Sequence, residues 1–157
     1  MTPAIRYLEH ARIAHQMHRF TTDSAHGGNY GAAAAEALGV PSERVFKTLM
    51  TDLGGKTLAM ALVPVSHTLD LKALAKAAKV KKAVMAPTER AEKATGYVVG
   101  GISPLGQKQR HAAFIDQSAQ TFDTIFVSGG QRGLDIELGP NDLIQCLNAL
   151  CAPLARR

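Results

Sequence analysis

The sequence predicts an α+β fold: a curved, mixed, mostly antiparallel sheet or open barrel with helices packed around it. Strand-forming stretches outnumber helical ones, and short hairpin links outnumber helix-length crossovers. One stretch, LAMALV from Leu58 to Val63, is apolar on both alternating faces, as expected of a central strand covered on both sides. With 157 residues and 46% hydrophobic content, the chain fits one domain over residues 1–157 with a substantial core.

Taken in order, Thr2 before Pro3 is a helix-start signal, and the helix continues from Ala4 to Arg12 with Ile5, Leu8 and Arg12 near one stripe. Ala14 to Phe20 reads as a short strand. His15 and His18 are three apart in it, which puts them on opposite faces and makes a shared metal unsuited. Asp23 to Gly31 is a polar, glycine-rich loop, and Ala32 to Leu38 is a short alanine-rich helix stopped by Gly39 and Pro41. Val45 to Leu53 and Lys56 to Val63 flank Gly54-Gly55, the strongest hairpin signal in the chain.

Leu69 to Ala78 is a helix with Leu71, Leu74 and Ala75 inward and Lys72, Lys76 and Lys79 on a solvated face. Lys82 to Met85 is a brief strand, and Pro87 to Ala94 a short helix ending before Gly96. Tyr97 to Val99 is strand-like and opens into Gly100-Gly101. Three further strands are expected at His111 to Asp116, Thr124 to Ser128 and Leu134 to Leu138, with Ser128 to Gly133 a glycine-rich turn between the last two. In LDIEL, Leu134, Ile136 and Leu138 face inward, and Asp135 and Glu137 take the other face. Pro140 begins a closing helix through about Leu150.

Eighteen Lys and Arg against thirteen Asp and Glu give a net charge of +5, which makes a polyanion or phosphate-bearing ligand a reasonable partner class. No apolar run is long enough for a membrane helix, and Arg6, Glu9, His10 and Arg12 stand where a signal peptide would be apolar, so a cytoplasmic location is expected. Cys146 and Cys151, five apart in the expected closing helix, read as reduced packing residues. There is no G-x-S-x-G elbow, H-E-x-x-H, P-loop or dinucleotide fingerprint.

Two features remain that can carry chemistry. The first is Thr95 to Gln107, TGYVVGGISPLGQ, which reads most simply as a tight turn but whose exposed amides could also hold phosphate or oxyanion charge. The second is Lys47, which shares a strand face with Val45 and Leu49 and either borders a pocket or snorkels to water. With Thr48, Ser128 and Asp135 they suit gripping an anionic or ester-bearing ligand rather than attacking it.

FKTL at Phe46 to Leu49, LDLKALAKA at Leu69 to Ala77, TGYVVGGISPLGQK at Thr95 to Lys108 and VSGGQRGLDIEL at Val127 to Leu138 closely resemble the YbaK-type cysteinyl-tRNA(Pro) deacylases, relatives of the editing domain inserted in bacterial prolyl-tRNA synthetase. The resemblance runs from MTPA at Met1 to the closing helix. It implies an aminoacyl-tRNA deacylase acting in trans, as a Cys-tRNA(Pro)/Cys-tRNA(Cys) deacylase does, with no cofactor or metal. Lys47 would be essential, holding the aminoacylated 3′ end through its phosphate or carbonyl, with Thr48 beside it. Gly100, Gly101 and Ile102 would supply a backbone wall, and Ser128, Gly129 and Asp135 would complete the amino-acid pocket. Phe20 stands at a substrate-binding position where close relatives are expected to carry tyrosine, so a hydroxyl is missing there. The Asp23 to Gly31 loop also departs from the expected pattern.

By the same resemblance, the thiol of the substrate cysteine attacks its own ester and leaves as a cyclic thioester. The alternatives are a sister activity that removes alanine from tRNA(Pro) with water, or a non-catalytic tRNA or synthetase adaptor. The implied partners are the tRNA 3′ end and prolyl-tRNA synthetase, with the chain itself a monomer that touches no membrane.

Overall fold

The hairpin at Gly54-Gly55 is the hub of the architecture. It joins β2 (Phe46–Asp52) to β3 (Leu58–Pro64), antiparallel along their full length. Gly54, Gly55 and Lys56 have φ of +102°, +56° and +68°, so two of the three left-handed positions fall to the residue type that adopts them without strain. The computed structural model describes residues 1–21 and 30–157.

Before the hairpin come α1 (Pro3–Ala11), β1 (Gln16–Arg19) and α2 (Tyr30–Leu38). After it come β4 (Thr68–Leu69), α3 (Leu71–Ala78), β5 (Val84–Met85), α4 (Thr88–Thr95), β6 (Ala112–Asp116), β7 (Ile125–Gln131), β8 (Leu134–Leu138), α5 (Pro140–Leu147), β9 (Leu150–Ala152) and β10 (Ala155–Arg156). One sheet has the order β5-β2-β3-β6-β9, in which β6 runs parallel to both β3 and β9, while the β5–β2 and β2–β3 pairs are antiparallel. A second, antiparallel sheet has the order β1-β8-β7, and β10 pairs with β4. The two larger sheets touch through one parallel bridge, Val45 to Phe126, and do not close. The α+β, mixed and mostly antiparallel expectation is met.

The strand LAMALV is central and buried on both faces. Met60 and Leu62 pack with Ile5, Leu8, Ile115 and Leu143, while Ala59, Ala61 and Val63 pack with Leu74, Phe114 and Leu154 under α3. No helix among the described residues is long and apolar enough to cross a membrane.

The structure corrects several boundaries. Tyr97 to Val99 is not a strand: Tyr97 turns into the core, where its hydroxyl donates to the carbonyl of Leu105 at 2.6 Å, while Val98 and Val99 stay exposed. Ser128 to Gly130 is not a turn but part of β7, which bulges between Ser128 and Gln131 and turns only at Arg132-Gly133. The closing helix stops at Leu147, because Asn148 caps it at φ +51°, and two short strands follow, so Cys151 lies on β9 rather than on the helix. Leu69 is in β4, since Asp70 caps α3 by accepting the amides of Lys72 and Ala73. Arg12 is the left-handed cap of α1 rather than part of its stripe. The expected loop at Asp23 to Gly31 falls outside the described residues up to 29, and Tyr30 and Gly31 open α2.

The start of α1 anchors both glycine-rich segments. The Thr2 hydroxyl accepts the amide of Ile5 and donates to the carbonyl of Gly129, and Gly106, at φ +65°, leaves no room for a side chain against Pro3. A Cβ there would lie 2.6 Å from the Pro3 carbonyl carbon. Gly106→Ala is therefore expected to cost about 1–3 kcal/mol, from left-handed strain and displacement of α1. The readout is a lower urea midpoint with an unchanged slope; an unchanged midpoint would contradict this packing.

Candidate active site

One edge of β2 is fully paired with β3, and the other is not. On that second edge Val45 bridges to Phe126 at one end, and Thr51 and Asp52 pair with β5 at the other. The Met50 carbonyl accepts the amide of Ala86 at 3.0 Å, and residues 46–49 have no strand partner there among the described residues. This gap in the sheet is a cavity of about 350 Å³, a size suited to a small ligand. Because it lies along a strand edge, all six residues from Val45 to Met50 line it, whichever way their side chains alternate.

Val65, Met85 and Ala86 also line it, and four further segments form the walls. Tyr30, Gly31 and Ala34 come from α2, Thr88 and Ala91 from α4, Val99, Gly100 and Ile102 from the loop after α4, and Ser128, Arg132, Gly133 and Asp135 from the β7–β8 hairpin, with Phe20 beside them. Ser128 and Asp135 face each other across β7 and β8. Phe126, two residues before Ser128, makes the bridge that places this pair near Lys47.

The polar groups of the cavity are short of partners. Asp135 is 7% exposed, and its carboxyl makes no hydrogen bond or ion pair with any described residue. Burial pushes its pKa up to about 7. Burial likewise pulls the Lys47 ammonium below its usual value, and no carboxylate among the described residues pairs with it. The Thr48 hydroxyl is buried with no hydrogen-bond partner among the described residues. The Ser128 hydroxyl accepts the amide of Gly130 at 3.1 Å. The described residues of the lining include no Cys or His.

Arg132 holds the mouth. Its Nε and Nη2 donate to the carbonyl of Val99 at 2.9 and 2.7 Å, and its guanidinium lies 4.4 Å from the centre of the Tyr30 ring. Gly100 sits between them at φ +89°, where a Cβ would come within 2.5 Å of the Tyr30 ring and 2.8 Å of Arg132 Nε. The amide of Val99 donates to Glu92 Oε2 at 2.8 Å, tying the loop back to α4. A cavity so arranged can receive a ligand with an anionic or carbonyl group at one end and a cationic group at the other, without supplying a nucleophile.

The family model for the aminoacyl-tRNA editing domain matches residues 29–146 of the chain, which include the whole gap in β2 and nearly all of its walls. The chain belongs to the aminoacyl-tRNA editing domain family. A protein of Enterococcus faecalis, provisionally named Cys-tRNA(Pro)/Cys-tRNA(Cys) deacylase EbsC, is 36% identical over 99% of this chain and 94% of that one. Among solved structures, a hypothetical protein superposes with a TM-score of 0.88 at 19% identity over 99% of this chain and 100% of that one. A protein provisionally described as a trans-editing enzyme for prolyl tRNA synthetase superposes with a TM-score of 0.84 at 21% identity, over 100% of this chain and 99% of that one.

In this editing domain the cavity brings together Phe20, Lys47, Thr48, Gly100, Ile102, Ser128 and Asp135. Gly101 and Gly129 are not among its lining residues. Gly101 presses on the backbone of Gln131, where a Cβ would be 2.8 Å from its Cα, and Gly129 packs under the Leu134 side chain. Tyr30 and Arg132 were not anticipated as site residues. Arg132 stands in the motif SGGQRG, and Tyr30 falls in the expected Asp23 to Gly31 loop, so the ring at the start of an alanine-rich helix carries no periodic signal.

Asp135 makes the stability of this domain depend on pH. In the folded chain its carboxyl keeps its proton up to about pH 7, whereas in the unfolded chain it releases it near 3.8. The folded state is therefore favoured below that lower value, and the advantage is lost as pH rises from about 4 to 7, by at most roughly 4 kcal/mol. Asp135→Asn is expected to raise the melting temperature at pH 8 and to change it little at pH 4. A variant less stable than the parent at pH 8 would show that the carboxylate is satisfied in the fold.

Proposed function

We propose that this domain is a trans-acting deacylase that releases cysteine from mischarged Cys-tRNA(Pro). The observation that carries the reading is the cavity itself, which sets a half-buried ammonium and a buried carboxyl, neither with a partner among the described residues, in a lining whose described residues include no Cys or His. The name carried by the Enterococcus faecalis relative supports cysteine as the amino acid.

The aminoacyl end of a tRNA offers the complementary groups. Its α-ammonium is the natural partner for Asp135, and that contact stabilises the ionised carboxylate. Its terminal phosphate or ester carbonyl is the partner for Lys47, whose charge is strengthened by the low dielectric around it. The partnerless Thr48 hydroxyl is available to the ribose. The substrate thiol then attacks the ester carbonyl carbon. A carbon–sulfur bond forms, the bond to the ribose oxygen breaks, and the leaving hydroxyl takes up the proton that the thiol gives up. Water opens the resulting cyclic thioester to free cysteine.

In this scheme the protein contributes position and charge, and the substrate contributes the nucleophile. Selection among tRNAs then falls to a partner, for which prolyl-tRNA synthetase is our proposal, since a net charge of +5 gives mostly salt-sensitive phosphate attraction.

Deacylation of cysteinyl-, seryl- and alanyl-tRNA(Pro) under single turnover tests the chemistry. Cysteine is expected to be released fastest by orders of magnitude, because a hydroxyl is a weaker nucleophile and a methyl is none; equal rates for cysteine and serine would overturn the thiol step. Lys47→Ala is expected to lower the rate about 10²–10³-fold at an unchanged melting temperature, the range seen when one charge-stabilising donor is lost. A parent protein that binds tRNA but cleaves none of the three esters would be an adaptor instead.

A further inference from the structure

On the other side of α4 from the cavity lies a cleft of about 690 Å³ that the proposed chemistry does not use. Thr88 and Ala91 face the cavity, whereas Arg90, Lys93 and Ala94 face this cleft, together with Lys56 and Thr57 at the tip of the β2–β3 hairpin and Gln109, Arg110 and His111 leading into β6. Four cationic side chains therefore converge on one concavity. Asp52 holds Arg90 at 2.6 Å and fixes it on the cleft wall, which also occupies the nearby carboxylate. Lys56, Lys93 and Arg110 are exposed and have no ion-pair partner among the described residues. His111 does not add a fifth cation. Its Nδ1 is bound to Gln107 Oε1 at 2.7 Å, and burial lowers its pKa, so it serves to brace the Gly100 to Gln107 loop.

Three free cations in a cleft recognise a polyanion backbone rather than a single carboxylate. The position of the cleft says which part of such a chain it meets. Asp52 lies five residues along β2 from Lys47, about 17 Å at the rise of a strand, a distance that a few nucleotides of backbone can span. We propose that this cleft is a second phosphate site, which takes the RNA backbone on the 5′ side of the terminal nucleotide held at Lys47. The assignment rests on the deacylase reading for its direction along the RNA, but RNA binding in the cleft can be tested without it.

The test measures binding of an uncharged RNA minihelix ending in CCA, as a function of salt, to the parent and to two double variants of equal charge. Lys93→Ala/Arg110→Ala removes two cleft cations, and Lys72→Ala/Lys76→Ala removes two from the exposed face of α3. All four side chains are exposed, and melting temperatures check that each variant is folded. The cleft variant is expected to bind about tenfold or more weakly near 0.1 M salt, with its salt slope smaller by about 1.5–2, as the release of two contacts requires. The α3 variant is expected to bind within twofold of the parent. Equal weakening by both variants would mean that only total charge matters, and no weakening by the cleft variant would mean that RNA runs elsewhere; either overturns the proposal. Cleavage of 3′-cysteinyl adenosine by the parent separates the two readings, because that ester ends short of the cleft. If the parent does not cleave it while the cleft variant binds RNA weakly, the deacylase reading fails and the RNA site stands.

Discussion

A strand left unpaired on one edge is the constraint from which the rest of this site follows. Val45, just before β2, is bridged to β7, Met50 bonds Ala86 and Thr51 pairs with β5, and residues 46–49 between have no strand partner there among the described residues. Unpaired strand edges invite aggregation unless they are covered. Here the edge is walled by α2, α4, the loop after α4 and the β7–β8 hairpin, which converts a defect in the sheet into a cavity. The same geometry explains why successive residues of β2, rather than alternate ones, meet the ligand space.

Enclosure has an electrostatic consequence. Lys47 and Asp135 both lose water without gaining a partner among the described residues, and their pKa values move in the directions that burial dictates, down for the ammonium and up for the carboxyl. Such an arrangement weakens the empty fold and strengthens a ligand with complementary charges. Rigidity comes from the frame around it. The N-terminus of α1 is pinned to Gly129 and Gly106, the Tyr97 hydroxyl closes the loop from within, and Arg132 clamps Val99 against Tyr30.

What the sequence revealed and what it hid divide along a physical line. LAMALV announced a strand buried on both faces, Gly54-Gly55 a hairpin and LDIEL a strand with one apolar face, because each signal is local and periodic. Tyr97 to Val99 misled, since an apolar run reads as a strand until a tyrosine finds an acceptor in the core. Ser128 to Gly130 misled because glycines that admit Thr2 and Tyr97 into a bulged strand look the same as glycines in a turn. The strands at Leu150–Ala152 and Ala155–Arg156 are too short to show a period. The resemblance to the editing family selected Lys47, Thr48, Ser128 and Asp135, which share the cavity. Nothing local pointed to the bridge between Val45 and Phe126 that brings them there. Gly101 and Gly129 stand in the motifs for packing, so a motif alone could not separate wall from ligand surface.

The central claim is that one ammonium and one carboxyl, each without a partner among the described residues, grip opposite ends of an aminoacylated nucleotide. The most direct measurement is a crystal structure of the protein with a non-cleavable amide analogue of cysteinyl adenosine 5′-phosphate. The account expects the α-amino group of the analogue within hydrogen-bond distance of the Asp135 carboxylate, and its phosphate or carbonyl oxygen within the same distance of Lys47 Nζ. An analogue seated in the cavity with either side chain turned away from it, or bound only outside it, would contradict the account.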